Sequence, residues 1–169
     1  MKTEISVDPP PLEVPRQLFE LIGTTTWTGE GQVRARDFQR WALAVGETNR
    51  LYFDLDAARA AGYDALVMPP MFLPMVVRPL KALADLREDG SVPEYDLPGL
   101  PARRMAGGDR LTYARVVLDG EHLTAERVLS EVVAKRGRSG DFLLATWTTT
   151  YRAGAGEHVA ETTFSLVAR

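Results

Sequence analysis

The run Gly46-Glu47-Thr48-Asn49-Arg50-Leu51-Tyr52-Phe53-Asp54 sets a carboxylate, a carboxamide and a phenol close together behind a glycine. These are the parts of a proton-handling loop. A carboxylate accepts a proton, and an amide both donates and accepts hydrogen bonds. A phenol, with a reference pKa of about 10, donates a hydrogen bond near neutrality but is a poor base. The same side chains have plain structural uses, because Glu47 can cap a turn and Tyr52 can be a core aromatic with a wet hydroxyl. Little else in the chain offers chemistry. Cysteine is absent, which removes disulfide scaffolds, thiolate nucleophiles and zinc-thiolate sites. His122 and His158 are the only histidines, and without cysteine they give no metal-ligand spacing. Gly29-x-Gly31 and Gly154-x-Gly156 lack the strand and helix that flank a nucleotide loop, so they read as turns. Lys135, Arg136 and Arg138 form a basic hairpin tip, either a solvated turn or a contact for a coenzyme phosphate. No metal and no cofactor is expected.

The elements that must hold the loop can be read around it. Asp37 is a candidate N-cap for a helix whose apolar residues Phe38, Trp41, Ala42 and Val45 fall at i, i+3, i+4 and i+7. Gly46 stands where a helix ends in a left-handed residue. Asp56 predicts the cap of a second, short helix closed by Gly62. Pro70 suits the first turn of a third helix. Met71, Phe72, Met75, Val76 and Val77 make that helix apolar on most faces and therefore buried. Pro79 should kink or interrupt it, with Leu80, Leu83, Ala84 and Leu86 as an amphipathic continuation. Residues 88–103 read as a long connecting loop that shapes a pocket mouth. Thr24 to Val33 suits a strand broken by a turn or bulge at its glycines.

The last third is β-rich. Leu111–Leu118, Leu123–Ala134, Phe142–Arg152 and Val159–Ala168 predict four strands joined by tight turns at Asp119-Gly120, 137–140 and 153–156. A buried helix followed by an antiparallel sheet is an α+β layout in which the sheet wraps around the helix.

The bounds are those of an ordinary globular chain. Its 169 residues suit one domain, 17–169, behind a flexible arm at 1–16 that contains four prolines. A net charge of −3 gives no reason to expect nucleic acid. The first fifteen residues carry no apolar run, and no stretch is long enough to span a bilayer. A cytoplasmic protein without a membrane or nucleic-acid partner is expected.

Four stretches carry a family resemblance: 44–49; 56–62; 66–72; and Gly107-Gly108-Asp109 through Tyr113, Arg115, Gly120 and Glu121. In order and spacing they are similar to the MaoC-like dehydratase family, N-terminal type, which has the hot-dog fold. Its acid/base loop reads Gly-Asp-x-Asn-Pro-x-His, so Glu47 stands at the Asp position, Asn49 at the Asn and Tyr52 at the His. Its His-Gly pair at the start of the buried helix aligns with Pro69-Pro70, which offers no N–H there, although the N–H groups of Met71 and Phe72 follow.

The resemblance implies an (R)-specific enoyl-thioester hydratase or 3-hydroxyacyl-thioester dehydratase, a lyase of fatty acid or polyketide metabolism, or a catalytically impaired subunit of one. Its substrates would be coenzyme A or acyl-carrier-protein thioesters. Glu47 and Tyr52 are then the candidate catalytic pair, and Asn49, Pro70, Met71, Phe72 and Met75 the candidate substrate contacts. A dimer is expected, either a homodimer or a heteromer with a second hot-dog subunit carrying an intact Asp/His loop. The alternatives are a non-catalytic acyl-thioester-binding or assembly protein and, further off, a hot-dog thioesterase.

Overall fold

The computed structural model describes residues 13–138 and 140–169, so most of the arm expected at 1–16 lies outside the described residues. Four short helices and five strands follow in order. The helices are α1 (Arg16–Phe19), α2 (Ala35–Val45), α3 (Leu55–Ala60) and α4 (Leu73–Val77), and β1 (Thr25–Gln32) lies between α1 and α2. The other strands are β2 (Arg104–Tyr113), β3 (His122–Gly137), β4 (Gly140–Ala153) and β5 (Glu157–Ala168). All five form one antiparallel sheet in the order β1-β3-β4-β5-β2. This is the α+β hot-dog layout, with α4 seated on the inner face against β1 and β3.

β4 shows why the sheet has an inner face. Leu143, Ala145, Trp147, Thr149 and Tyr151 alternate inward and are buried, whereas Leu144, Thr146, Thr148 and Thr150 point outward. The expected four-strand meander is only partly right. β3, β4 and β5 do follow as hairpins, but β2 pairs with β5, on the far side from β3. Asp119-Gly120 is therefore no hairpin turn between neighbouring strands. It serves α2 instead: Asp119 Oδ1 accepts from the Ala35 N–H at 2.6 Å, and Gly120 N–H donates to the Val33 carbonyl at 2.9 Å. The helix thus takes its N-terminal carboxylate from a distant segment, and Asp37 lies in the first turn instead of at the cap. β2 starts seven residues earlier than expected, because the bulge between Ala106 and Gly108 hides its alternation.

Two further boundaries move. Asp54, not Asp56, caps α3, its Oδ1 accepting from the Asp56 and Ala57 N–H groups at 3.0 Å each. The buried helix is short. Arg78 is extended (ψ 130°), as a residue before proline prefers, and no amphipathic helix continues beyond Pro79. Leu80 and Leu83 are fully or almost fully exposed, and Met71 and Met75 are at least half exposed, so α4 buries one face only. That face sits very close to β1. A Cβ on Gly31 would lie 1.9 Å from the Val76 carbonyl oxygen, and one on Gly29 would lie 2.6 Å from that of Val77. These glycines make room for a helix where a turn was expected.

The apolar interior falls into two clusters. One, beneath α2 and α4, contains Phe38, Tyr52, Met68, Phe72, Leu73 and Val117. The other contains Leu18, Leu129, Leu143, Trp147 and Leu166, with Tyr95, Leu97 and Leu100 of the 88–103 loop. That loop lies over the second cluster.

Candidate functional site

The 46–54 segment is shaped by its own backbone chemistry. Gly46 takes the left-handed conformation (φ 79°), and the Glu47 N–H returns to the Ala42 carbonyl at 2.8 Å, a helix-ending motif that only glycine enters without strain. The Glu47 side chain is left exposed. Asn49 Oδ1 then accepts from the Leu51 N–H at 3.1 Å and starts a 3-10 turn, Arg50–Tyr52, which carries Tyr52 inward. Tyr52 is buried, and its carbonyl accepts from Gln39 Nε2 of α2 at 3.0 Å.

Tyr52 and Asn49 line an apolar cavity of about 270 Å³, with Leu51, Tyr63, Val67, Met68, Pro70, Tyr113, Arg115, Val116 and Val117. Its walls are tied together by the Val67 N–H to Leu51 carbonyl bond at 3.0 Å and the Met68 N–H to Val117 carbonyl bond at 2.9 Å. Tyr113 closes one side, its hydroxyl donating to the Pro70 carbonyl at 2.6 Å. A larger depression, about 630 Å³, lies on the outward face of β1, β3 and β4 among Thr28, Glu30, Thr124, Glu126 and Arg152. It lies on the outer face of the sheet and has no part of the 46–54 segment, so the smaller, more apolar cavity is the candidate site.

Of the residues singled out by sequence, the cavity gathers Tyr52, Asn49 and Pro70. Glu47 does not line it. Phe72 belongs to the core, with its ring centroid 6.4 Å from Phe38 and 6.0 Å from Trp41, and its N–H is engaged by the Pro69 carbonyl at 3.0 Å. Met71 and Met75 point to solvent and are not among its lining residues. Tyr63, Met68, Tyr113 and Arg115 line the cavity without having been named as site residues. Tyr113 and Arg115 belong to a stretch that carried the resemblance, which was the available signal. Lys135 and Arg136 stand at the end of β3 and Arg138 just beyond it, and none of the three lines this cavity.

The electrostatics are those of a neutral pocket. Burial raises the Tyr113 hydroxyl above the usual phenol range, and the neighbouring Tyr151 and Tyr52 hydroxyls add to the effect. Burial likewise raises Tyr151. Both phenols are protonated at neutral pH and can donate, but they do not act as bases. Arg115 brings no free charge. Its guanidinium is gripped by Glu157 (2.9 and 2.8 Å) and Glu121 (2.9 and 2.8 Å), and these bonds, Glu157 first, raise its already high pKa. Among the described residues no cluster of histidines or carboxylates could hold a metal.

The family described as FAS1-like, dehydratase domain region, matches residues 20–162. The chain belongs to this family, the MaoC-like hot-dog group that its motifs resemble. It is 36% identical over 138 residues to UPF0336 protein Lxx02810 of Leifsonia xyli, covering 81% of this chain and 85% of that one. In fold it resembles the ChsH1-ChsH2 complex of Mycobacterium tuberculosis, with a TM-score of 0.69, 24% identity and coverage of 85% and 83%. The HadBC (3R-hydroxyacyl-ACP dehydratase) complex of the same organism gives 0.66, 22%, 87% and 96%. Both neighbours are complexes of hot-dog chains. No helix among the described residues is long and apolar enough to cross a membrane.

Proposed function

We propose that the chain is the thioester-holding subunit of a MaoC-like (R)-specific hydratase or dehydratase, completed by a second hot-dog chain. The observation that carries this reading is the make-up of the cavity. It offers the phenols of Tyr52 and Tyr63 and the amide of Asn49 to a neutral polar group, with Tyr113 closing the wall through its bond to Pro70, but no carboxylate or imidazole among its lining residues. Adding water across an enoyl thioester needs a base for the water and an acid for the α-carbon. Protonated phenols can orient a thioester carbonyl but cannot activate water at neutral pH. The base therefore comes from the partner's intact Asp/His loop. Glu47, exposed and outside the cavity lining, stands at the family's Asp position, and its removal tests a self-sufficient site.

A partner also has somewhere to bind. β2 is an edge strand whose residues are mostly exposed, including Met105, and its end at Tyr113 is tied to Pro70 beside exposed Met71. Unpaired edges of this length are normally covered.

The test is hydration of crotonyl-CoA by the purified chain alone and mixed with a hot-dog chain carrying the Asp/His loop. The expected result is no turnover alone and turnover in the mixture. Full activity alone, abolished by Glu47→Ala, would reject the holding-subunit reading. Thioester binding without turnover in any pairing would favour a binding or assembly role instead.

A further inference from the structure

The middle of the inner face is polar where a core should be apolar. Register places Trp27, Arg127, Thr149 and Thr162 side by side across β1, β3, β4 and β5. Arg127 is only 2% exposed, and its Nε has no partner among the described residues. A buried guanidinium is costly unless it is compensated. The compensation here comes from one short piece of the 88–103 loop. Arg127 Nη2 donates to the Glu94 carbonyl at 3.0 Å, and its guanidinium carbon stands 4.3 Å from the Tyr95 ring centroid and 5.2 Å from that of Trp27. Arg78, just past α4, donates to the Tyr95 hydroxyl at 3.0 Å, and the Glu94 carboxylate lies 3.6 Å from it and 3.8 Å from Arg127. So held, the Tyr95 ring packs 5.1 Å from Trp147 and 4.7 Å from Phe164, over the half of the sheet that α4 leaves bare.

We propose that this Arg127–Glu94–Tyr95 strap sets the acyl-length limit of the subunit, closing the distal half of the inner face and confining the substrate to a short-chain acyl thioester. The inference rests on the thioester-holding reading above. A cavity of about 270 Å³ is small beside the roughly 300–1,000 Å³ of sites that hold drug-sized ligands. It suits a thioester with a few carbons beyond it. Tyr113 and Tyr151 flank Ala160 in one cross-strand row, and the next row on that face holds Thr162, Thr149 and Arg127. A longer alkyl chain advancing past Tyr113 along the sheet therefore meets the buried guanidinium row. There it would have to displace Tyr95 and place methylenes against an unpartnered N–H.

The test is calorimetric binding of butyryl-, octanoyl- and dodecanoyl-CoA to the full chain and two variants. Wild type should bind butyryl-CoA and bind dodecanoyl-CoA at least tenfold more weakly. Tyr95→Ala should tighten dodecanoyl-CoA at least tenfold and leave butyryl-CoA within twofold. Arg127→Met, which replaces the buried charge with an apolar chain of similar length, should act in the same direction and covers the case in which Tyr95→Ala does not fold. Equal affinity of wild type for all three lengths overturns the inference, as does an unchanged length profile in a folded variant. Failure to bind any length removes the thioester reading itself, and this limit with it.

Discussion

The two ends of the inner face are built from the same sheet but finished differently. At the site end, α2, α4 and the 46–54 turn arch over β1 and β3 and leave a cavity with phenols in its wall. At the distal end, α1 packs Leu18 and the 93–100 strap packs the Tyr95 ring onto the cluster around Trp147 and Phe164. Between them runs the Arg127 row. One end is organised to receive something, the other to be full. The contrast shows how a five-residue helix can serve a fold that usually asks its sheet to wrap a longer one. Where the helix stops before Pro79, an irregular strap held by Arg78 and Arg127 at Glu94 and Tyr95 and by Arg87 and Arg104 at Asp96 takes over the covering.

The largest effect should come from emptying the filled end. Trp147→Ala removes a side chain that is 1% exposed and should cost about 3–5 kcal/mol, seen as a large fall in Tm, with thioester affinity of the remaining folded protein little changed. At the receiving end, Gly31→Ala drives a methyl into the Val76 carbonyl. It should cost about 1–3 kcal/mol, measured by urea denaturation, and should weaken thioester binding because α4 and Pro70 shift together. Tyr113→Phe deletes the hydrogen bond to Pro70 and should cost about 1 kcal/mol of stability. A clear loss of affinity for butyryl-CoA should accompany it, whereas Tyr95→Phe at the other end should leave that affinity intact.

The smallest effect is a pH dependence. Hydrogen bonding to Arg115 holds the Glu157 carboxyl below its ordinary value of 4.5. The unfolded chain therefore takes up this proton first as pH falls, so the bridge stabilises above about pH 4.5 and is lost as pH falls through the lowered folded value. Arg115→Gln should flatten that acid limb of the stability curve and leave the profile above pH 6 parallel to wild type.

Much of the fold was legible because it obeys local periodicity. The alternation of β4 and the left-handed end at Gly46 follow from residue types at fixed spacing. Part of the site was legible too: Tyr52, Asn49 and Pro70 share the cavity. The rest depended on distant partners. Tyr63 and Val117 are unremarkable in sequence and meet the site only because Val67 and Met68 bond to Leu51 and Val117. Asp119 looked like a turn residue and is the carboxylate at the start of α2. Gly29 and Gly31 looked like a break in a strand and are the bed for a helix.

The sequence by itself determined the β3–β4–β5 hairpins, the glycine stops after α2 and α3 and the exchange of the family's imidazole position for a phenol, because each depends on a residue's own geometry or ionisation. Which side chains face one another was left to the tertiary structure. It moved β2 to the far edge, left Glu47 out of the cavity, set Arg127 under Tyr95 and raised the Tyr113 and Tyr151 hydroxyls by burial. Those outcomes depend on through-space packing and desolvation, which no window of neighbouring residues contains.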